Sequence, residues 1–329
     1  MNKSRVLITG GCGFVGINLC ERLLSEGYCD ITLLDNGSNS VPENLDVLAR
    51  NQANPQAVKP KIVHADVRDG EGVYQAVQGR DAVVHLAAFT RVVESLQDPA
   101  ECYAINVQGT INLLEACRKA GVPHFVFASS NAAVGDANTA VHEDIPPHPL
   151  SPYGATKLVG EALCSAYAHS YGMQTVALRF ANAYGPYCQK KGSVVALFLR
   201  TMLAGSPLTV YGDGRQTRDF IHVADICGVI ARCLQCMKNS SAPQFKGEIF
   251  QVATGIETSV LELVSVLTSA TGLNPELVFR PPRVGEIIRN CSDITKLCRR
   301  LGYRPEINLR DGIFSLYPWM KQHYCPGKE

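Results

Sequence analysis

A chain of 329 residues is too long for one minimal core and too short for three domains, and its 46% hydrophobic content suffices for a sizeable interior. A net charge of +1 gives no electrostatic basis for binding nucleic acid or a membrane, so any anionic ligand must be held by local basic side chains. No apolar run reaches the roughly 18–20 residues of a membrane span, and the opening MNKSRVLITG leads straight into a strand pattern rather than a leader.

Residues 5–9 (RVLIT) form a short apolar run closed by glycine, which predicts a buried strand. A helix follows over 15–26 and a second strand over 31–35. Strands at 61–64 and 82–86 flank a helix at 70–78. The helix over 105–120 ends at Gly121-Val122-Pro123, and then come a strand at 125–129, a long helix at 153–171 and a strand at 175–179. This alternation, with near-continuous apolar strands, predicts an α/β fold: a Rossmann-type doubly wound parallel sheet covered on both faces. After about Ala181 the rhythm changes. Glycine and proline punctuate 182–193, followed by a helix at 195–204, a short strand at 208–211 and a Gly-Asp-Gly turn. A helix at 223–238 and a strand at 249–252 come next, and the tail from about Ser259 is expected to hold two helices and a proline-arginine loop over 280–286. The 13 cysteines lie in apolar, periodic segments, as reduced thiols of a cytoplasmic protein do. Cys233 and Cys236 form a CxxC with no second pair or histidine at zinc spacing, so no metal is expected.

Thr9-Gly10-Gly11-Cys12-Gly13-Phe14-Val15-Gly16 closes the first strand and opens the first helix. Gly10, Gly13 and Gly16 lack the Cβ that would keep the backbone away from a pyrophosphate lying on the helix N-terminus. Alone, this turn also reads as an ordinary strand-to-helix connection. The second strand, however, ends in Asp35, nineteen residues after Gly16. A carboxylate there accepts hydrogen bonds from an adenosine ribose and repels a 2′-phosphate, which together with the turn predicts NAD as cofactor. Asp66-Val67 and Leu86-Ala87-Ala88 follow the third and fourth strands, where an open sheet presents its carboxyl ends to ligand; each alone reads equally well as packing.

Tyr153 and Lys157 share one helix face at i and i+4, behind Ser151 as cap and Pro152 at the first helical position. A phenol with a pKa of about 10 is a poor base at neutral pH. An ammonium one turn away and a cationic nicotinamide would stabilise the phenolate and make Tyr153 a usable acid/base. Such a pair is common on half-exposed helices, but here it follows an NAD-type turn and a strand ending in Ser129-Ser130, whose hydroxyl can meet both the phenol and a substrate oxygen.

With these motifs the chain resembles the extended short-chain dehydrogenase/reductases, particularly the nucleotide-sugar epimerase branch that includes the UDP-glucose/UDP-galactose 4-epimerases. The resemblance runs over essentially the whole chain, from TGGCGFVG through HLAA, SPYGATK and GDGRQTRDFIHV to PPRVGE. It implies Tyr153 as acid/base, Lys157 on the nicotinamide ribose and Ser130 assisting. Cofactor contacts are implied at Gly10, Gly13, Phe14, Val15 and Gly16, at Asp35, Asn36, Ser38 and Asp66, and at Val67, Leu86, Ala87, Ala88, Thr90, Asn106 and Phe180. On the substrate side, Asn182, Ser193 and Val194 would face the diphosphate and uridine, and Thr209 and Tyr211 would line the base pocket. Arg218 and Arg283 would clamp the diphosphate and Glu286 would take the uridine ribose. Guanidinium forks suit a dianionic diphosphate and a carboxylate suits ribose hydroxyls.

Several positions depart from the family pattern. Ala133-Val134-Gly135 stands where relatives carry a tyrosine before the glycine, so one hydroxyl near the sugar is missing. Asn131-Ala132 replaces the Asp-Glu pair of the 4,6-dehydratases, removing the acid that eliminates water. Asn290, at the position gating the sugar C2 substituent, is smaller than the tyrosine of glucose/galactose-restricted relatives and leaves room for an N-acetyl group. Lys190 and Lys191 are expected in a solvated loop rather than on a C6 carboxylate.

The resemblance thus implies an NAD-dependent nucleotide-sugar 4-epimerase for the UDP-glucose/UDP-galactose pair, with the N-acetylated pair also in view. It proceeds by transient C4 oxidation to a 4-keto sugar. A UDP-glucuronate 4-epimerase, a reductase or decarboxylase of the same fold and, in another class, a non-catalytic NAD-binding protein are the alternatives. We expect an NAD-binding body of 1–181 with about 221–258 and a sugar-nucleotide-binding body of about 182–220 with 259–329. A cytoplasmic homodimer, formed through helices over 100–120 and 153–171 and binding neither nucleic acid nor membrane, completes the expectation.

Overall fold

The computed structural model describes residues 2–41, 44, 59–137, 139–239, 245–282 and 288–324. The first half of the chain runs β1 (Asn2–Thr9), α1 (Phe14–Ser25), β2 (Tyr28–Asp35), β3 (Lys61–His64), α2 (Gly70–Val77), β4 (Ala82–His85), α3 (Val92–Gln97) and α4 (Pro99–Tyr103). A π-helical turn, Ala104–Gln108, then leads into α5 (Gly109–Ala120), β5 (His124–Ser130), α6 (Pro152–Tyr171) and β6 (Gln174–Phe180). The second half holds β7 (Asn182–Tyr184), α7 (Val194–Leu203), β8 (Leu208–Tyr211), β9 (Thr217–His222), α8 (Val223–Lys238) and β10 (Lys246–Val252). It closes with β11 (Glu257–Ser259), α9 (Val260–Thr271), β12 (Leu277–Arg280), α10 (Thr295–Leu301) and α11 (Leu309–His323).

Seven strands pair in the order β10-β6-β5-β4-β1-β2-β3, every pairing parallel. The apolar runs are continuous because both faces are buried. In β1, Val6 and Ile8 enter one core with α1 and α8, while Leu7 enters the other with α2, α5 and α6. A third core joins α7, β8, α9 and α11. Two small sheets, β11-β9-β7 and β12-β8, complete the second half. Sequence order reverses between β1 and β4, so the turns after these two strands lie side by side at the carboxyl edge, where open α/β sheets take ligands. Among the described residues no helix is long and apolar enough to cross a membrane.

The structure corrects several expectations. The tail has three helices rather than two, and β7, β9, β11 and β12 were not foreseen; three of them are three or four residues long, too short to show a period. The helix expected over 105–120 begins as a π turn, next to which the Thr110 hydroxyl donates to the Asn106 carbonyl at 2.6 Å. Ahead of it, Asp98 caps α4 by accepting from Glu101 N and Pro99 takes the first helical position, so the helix expected over 100–120 for the dimer interface divides into α4, the π turn and α5.

Candidate active site

At the switch point Thr9 pairs with His85, and Leu86 N donates to the Thr9 carbonyl at 3.1 Å. Gly10 sits at φ +65°, where a Cβ would lie 2.8 Å from Ala87 N; a Cβ on Gly16 would lie 2.4 Å from the Gly10 carbonyl oxygen. These two glycines close protein on protein. Gly13 differs: its Cβ would meet only the Gly10 oxygen, at 3.2 Å, so that face is open. It is also the N-cap of α1, which has no side-chain cap, and Phe14 and Val15 open the helix half-buried. Free amides at the head of a 12-residue helix beside an open glycine face fit a pyrophosphate. Asp35 accepts from Cys12 N at 3.0 Å and Gly37 N at 2.8 Å, leaving each oxygen a lone pair for a ribose hydroxyl.

Other expected cofactor residues are partly committed elsewhere. Asn36 donates to Asp66 at 2.9 Å and accepts from Ser38 N at 3.0 Å. Arg68 grips Asp66 through Nε and Nη2, at 2.9 and 2.8 Å, and holds its carboxyl well below the usual carboxylate range. Val67 packs its side chain on Gly109, and Ala87 and Ala88 are half-buried beside an exposed Thr90. The buried Asn106 amide accepts from Phe89 N at 2.7 Å and donates to Phe89 O and Thr156 Oγ1, so it braces the loop after β4. Phe180 ends β6 opposite Ser130.

Ser130 ends β5, its hydroxyl accepts from Ala132 N at 3.2 Å, and it lies by the Tyr153 phenol, whose ionisation it favours. Tyr153 lies in the first turn of α6, which Ser151 caps by accepting from Gly154 N at 3.1 Å. Burial pushes the phenol up, against the opposing effect of the Ser130 hydroxyl. One turn on, Lys157 is buried with Nζ donating to the Ala128 carbonyl at 2.8 Å; burial pushes its ammonium down to about 8. The protein by itself therefore disfavours phenolate, and a cationic nicotinamide is the charge that would reverse this. A further turn along, Glu161 accepts from Ser129 Oγ at 2.5 Å and from Arg179 Nε and Nη2, both at 2.8 Å, in a fully buried pair.

Asn182 opens β7, two pairs along from Arg218 in β9, whose Nη1 donates to Thr217 O at 2.8 Å. Ser193 is the N-cap of α7 with a buried hydroxyl that has no hydrogen-bond partner among the described residues, and Val194 follows it. Thr209 and Tyr211 lie on the less buried face of β8. Arg283 and Glu286 fall outside the described residues. Asn290 is brought to the strand end: Asn131 Nδ2 reaches its Oδ1 at 3.4 Å and Ser292 Oγ at 2.9 Å. Lys191 corrects the solvated-loop expectation. Arg200 draws the carbonyls of Gln189 and Lys191 to 2.7 and 2.8 Å, which turns the Lys191 ammonium inward onto Ala183 O at 2.7 Å and over the Phe14 ring at 4.4 Å. Lys190 stays exposed and donates to Ser40 O at 3.1 Å.

Residues 6–253 match the NAD dependent epimerase/dehydratase family. The chain belongs to this family. A putative UDP-glucose 4-epimerase of Methanocaldococcus jannaschii is 38% identical over 324 residues, covering 97% of this chain and 99% of that protein. The UDP-glucose 4-epimerase of Thermus thermophilus, solved with NAD, superposes with a TM-score of 0.85 at 34% identity over 97% of this chain and 100% of its own. A UDP-N-acetylglucosamine 4-epimerase from Methanobrevibacter ruminantium, solved with UDP-N-acetylmuramic acid, gives 0.87 at 26% identity, over 98% and 100%. dTDP-glucose 4,6-dehydratases are also among the relatives. As a member of the epimerase/dehydratase family, the protein is an NAD-dependent enzyme of the extended short-chain dehydrogenase/reductase type.

Three features of this region were not singled out in the sequence. Glu161 stands four residues after Lys157, so helical spacing alone placed it on the catalytic face. The approach of Ser292 to Asn131 carried no local signal, because 161 positions separate them. His85, between Thr9 and Thr110, was read as part of a strand and of the HLAA motif, with no role of its own.

Proposed function

We propose that this protein is a UDP-sugar 4-epimerase in which Tyr153 is the acid/base, Ser130 assists it and Lys157 is the ribose-binding cation. The observation that carries the reading is a buried Tyr153 phenol one helical turn before a buried Lys157 whose Nζ donates to Ala128 O, on the strand that Ser130 ends, in a fold whose switch point fits NAD. The open face of Gly13, the free head of α1 and the Asp35 carboxylate would hold the cofactor. When bound, NAD supplies the hydride acceptor and donor at the sugar C4. Tyr153 takes the O4 proton as C4 becomes a ketone and returns it once the sugar has turned. Ser130 would meet O4 beside the phenol, and the cationic nicotinamide would offset the burial that raises the phenol. No carboxylic acid follows Ser130, so the 4-keto sugar keeps its C6 hydroxyl.

The substrates we infer are UDP-glucose and UDP-galactose, together with their N-acetylated counterparts. Asn131 Oδ1 is buried without a hydrogen-bond partner among the described residues, beside Ser130 and against Asn290. A sugar hydroxyl or a 2-acetamido N–H satisfies such an acceptor. Asn182, Ser193, Val194, Arg218 and Arg283 would take the diphosphate and uridine, with Glu286 on the ribose and Thr209 and Tyr211 on the base. The division into a cofactor body and a sugar-nucleotide body at the boundaries given above is part of this reading. So is a cytoplasmic homodimer, supported by free thiols at every described cysteine and by exposed Val92, Val93, Leu96, Tyr103 and Val159 on α3, α4 and α6. Light scattering after size exclusion measures that state.

The test is a proton NMR time course with UDP-glucose and UDP-N-acetylglucosamine and no added cofactor. New galacto-configured anomeric signals are expected from both. Turnover of UDP-glucuronate alone, or net release of NADH, would replace this reading with a uronate epimerase or a dehydrogenase.

A further inference from the structure

His85 lies in β4 with 1% of its surface exposed, ringed by Phe125 and Phe127 at centroid distances of 6.1 and 5.8 Å. Its hydrogen atoms are assigned by its neighbours. The Thr110 hydroxyl donates to the Asn106 carbonyl at 2.6 Å, so toward the imidazole it can only accept, and His85 Nε2 meets it at 3.0 Å as donor. Nδ1 is then the acceptor, filled by the Thr9 hydroxyl at 2.8 Å, and the Thr9 oxygen accepts in turn from Ala87 N at 3.3 Å. Burial, with a smaller effect from the Lys157 ammonium, pushes the ring pKa down to about 3, which keeps it neutral. Both nitrogens are used, so the ring has no free atom for a metal or a substrate.

The series joins two parts of the site. At one end, Thr9 and Ala87 frame Gly10 in the cofactor turn. At the other, Asn106 sits in the π turn, holds both backbone groups of Phe89 and donates to Thr156 Oγ1 at 2.9 Å; Thr156 donates to the carbonyl of Tyr153 itself at 2.7 Å. We propose that His85 is a positioning residue for the 4-epimerase reaction, an Nε2-protonated imidazole that sets the spacing between the cofactor turn and the helix bearing Tyr153 and Lys157. The inference rests on the roles given to those two residues above. The chemistry requires the cofactor and the phenol to be held on the sugar together, and a misplacement of about 1 Å is enough to cost ~100-fold in rate.

Two measurements test it. Nitrogen-15 NMR of the holoenzyme labelled at histidine should show His85 as the neutral Nε2–H tautomer; an Nδ1–H or doubly protonated ring overturns the proposal whatever the substrate proves to be. Thr110→Val keeps the side-chain shape and removes the hydroxyl. Measured on UDP-sugar conversion, it should lower kcat by ~10–100-fold with KM and NAD content unchanged. His85→Phe should show the same split. A folded Thr110→Val enzyme with wild-type kcat, or a loss confined to KM, overturns it. Failure of wild type to epimerise any UDP-sugar would sink the functional reading instead and leave the tautomer result standing.

Discussion

Burial leaves opposite marks on Tyr153 and Lys157, raising the phenol and lowering the ammonium to about 8. Both shifts disfavour charge, as desolvation does. Tyr153→Phe keeps the ring and removes the transferable proton, so turnover should fall by ~100–10,000-fold while NAD stays bound; a near-wild-type rate would remove Tyr153 from the chemistry. Lys191 shows the same burial effect, also pushed down to about 8. A lysine near 8 in the folded state and about 10.4 unfolded leaves the unfolded chain with more bound protons between those values, so stability from this group rises with pH across that window. Urea unfolding of wild type and Lys191→Met at about pH 7.5 and about pH 9.5 should therefore show wild type gaining on the variant. An unchanged difference would mean that Lys191 is not desolvated.

At the scale of elements, the site depends on how closely α6 approaches β5. A Cβ on Gly160 would lie 2.2 Å from Phe127 Cζ, so this glycine lets the helix lie flat on the strand that ends in Ser130. Gly160→Ala should cost ~1–3 kcal/mol in denaturant unfolding and lower kcat by separating Tyr153 from Ser130. Unaltered stability would show that the ring yields without moving the helix. In the cofactor turn a Cβ on Gly16 would meet backbone on both the Gly10 and Gly11 sides, at 2.4 and 2.6 Å, and backbone does not give way as a side-chain end does. Gly16→Ala should purify without NAD, read from its ultraviolet spectrum. The sequence was legible where the signal is local. The glycine turn, Asp35 and the Tyr153–Lys157 spacing each need only one strand-helix unit. Short strands such as β7 and β11 carry no period to read.

Across the whole molecule, the proposed sugar site joins parts far apart in the chain. Asn131 and Ser292 meet over 161 positions, and Gln189 pairs with Asn44 over 145, tying the segment after β7 to the cofactor side. Such contacts were invisible to periodicity, and only the family resemblance placed Asn290 near the sugar. The central claim is that the hydrogen leaving C4 is the one that returns to it. UDP-glucose deuterated at C4 tests this directly, with the product followed by NMR in ordinary water. Deuterium retained at C4 of UDP-galactose is the expected result, because the hydrogen never reaches solvent. Its replacement by protium would contradict the account and point to an exchangeable proton at C4.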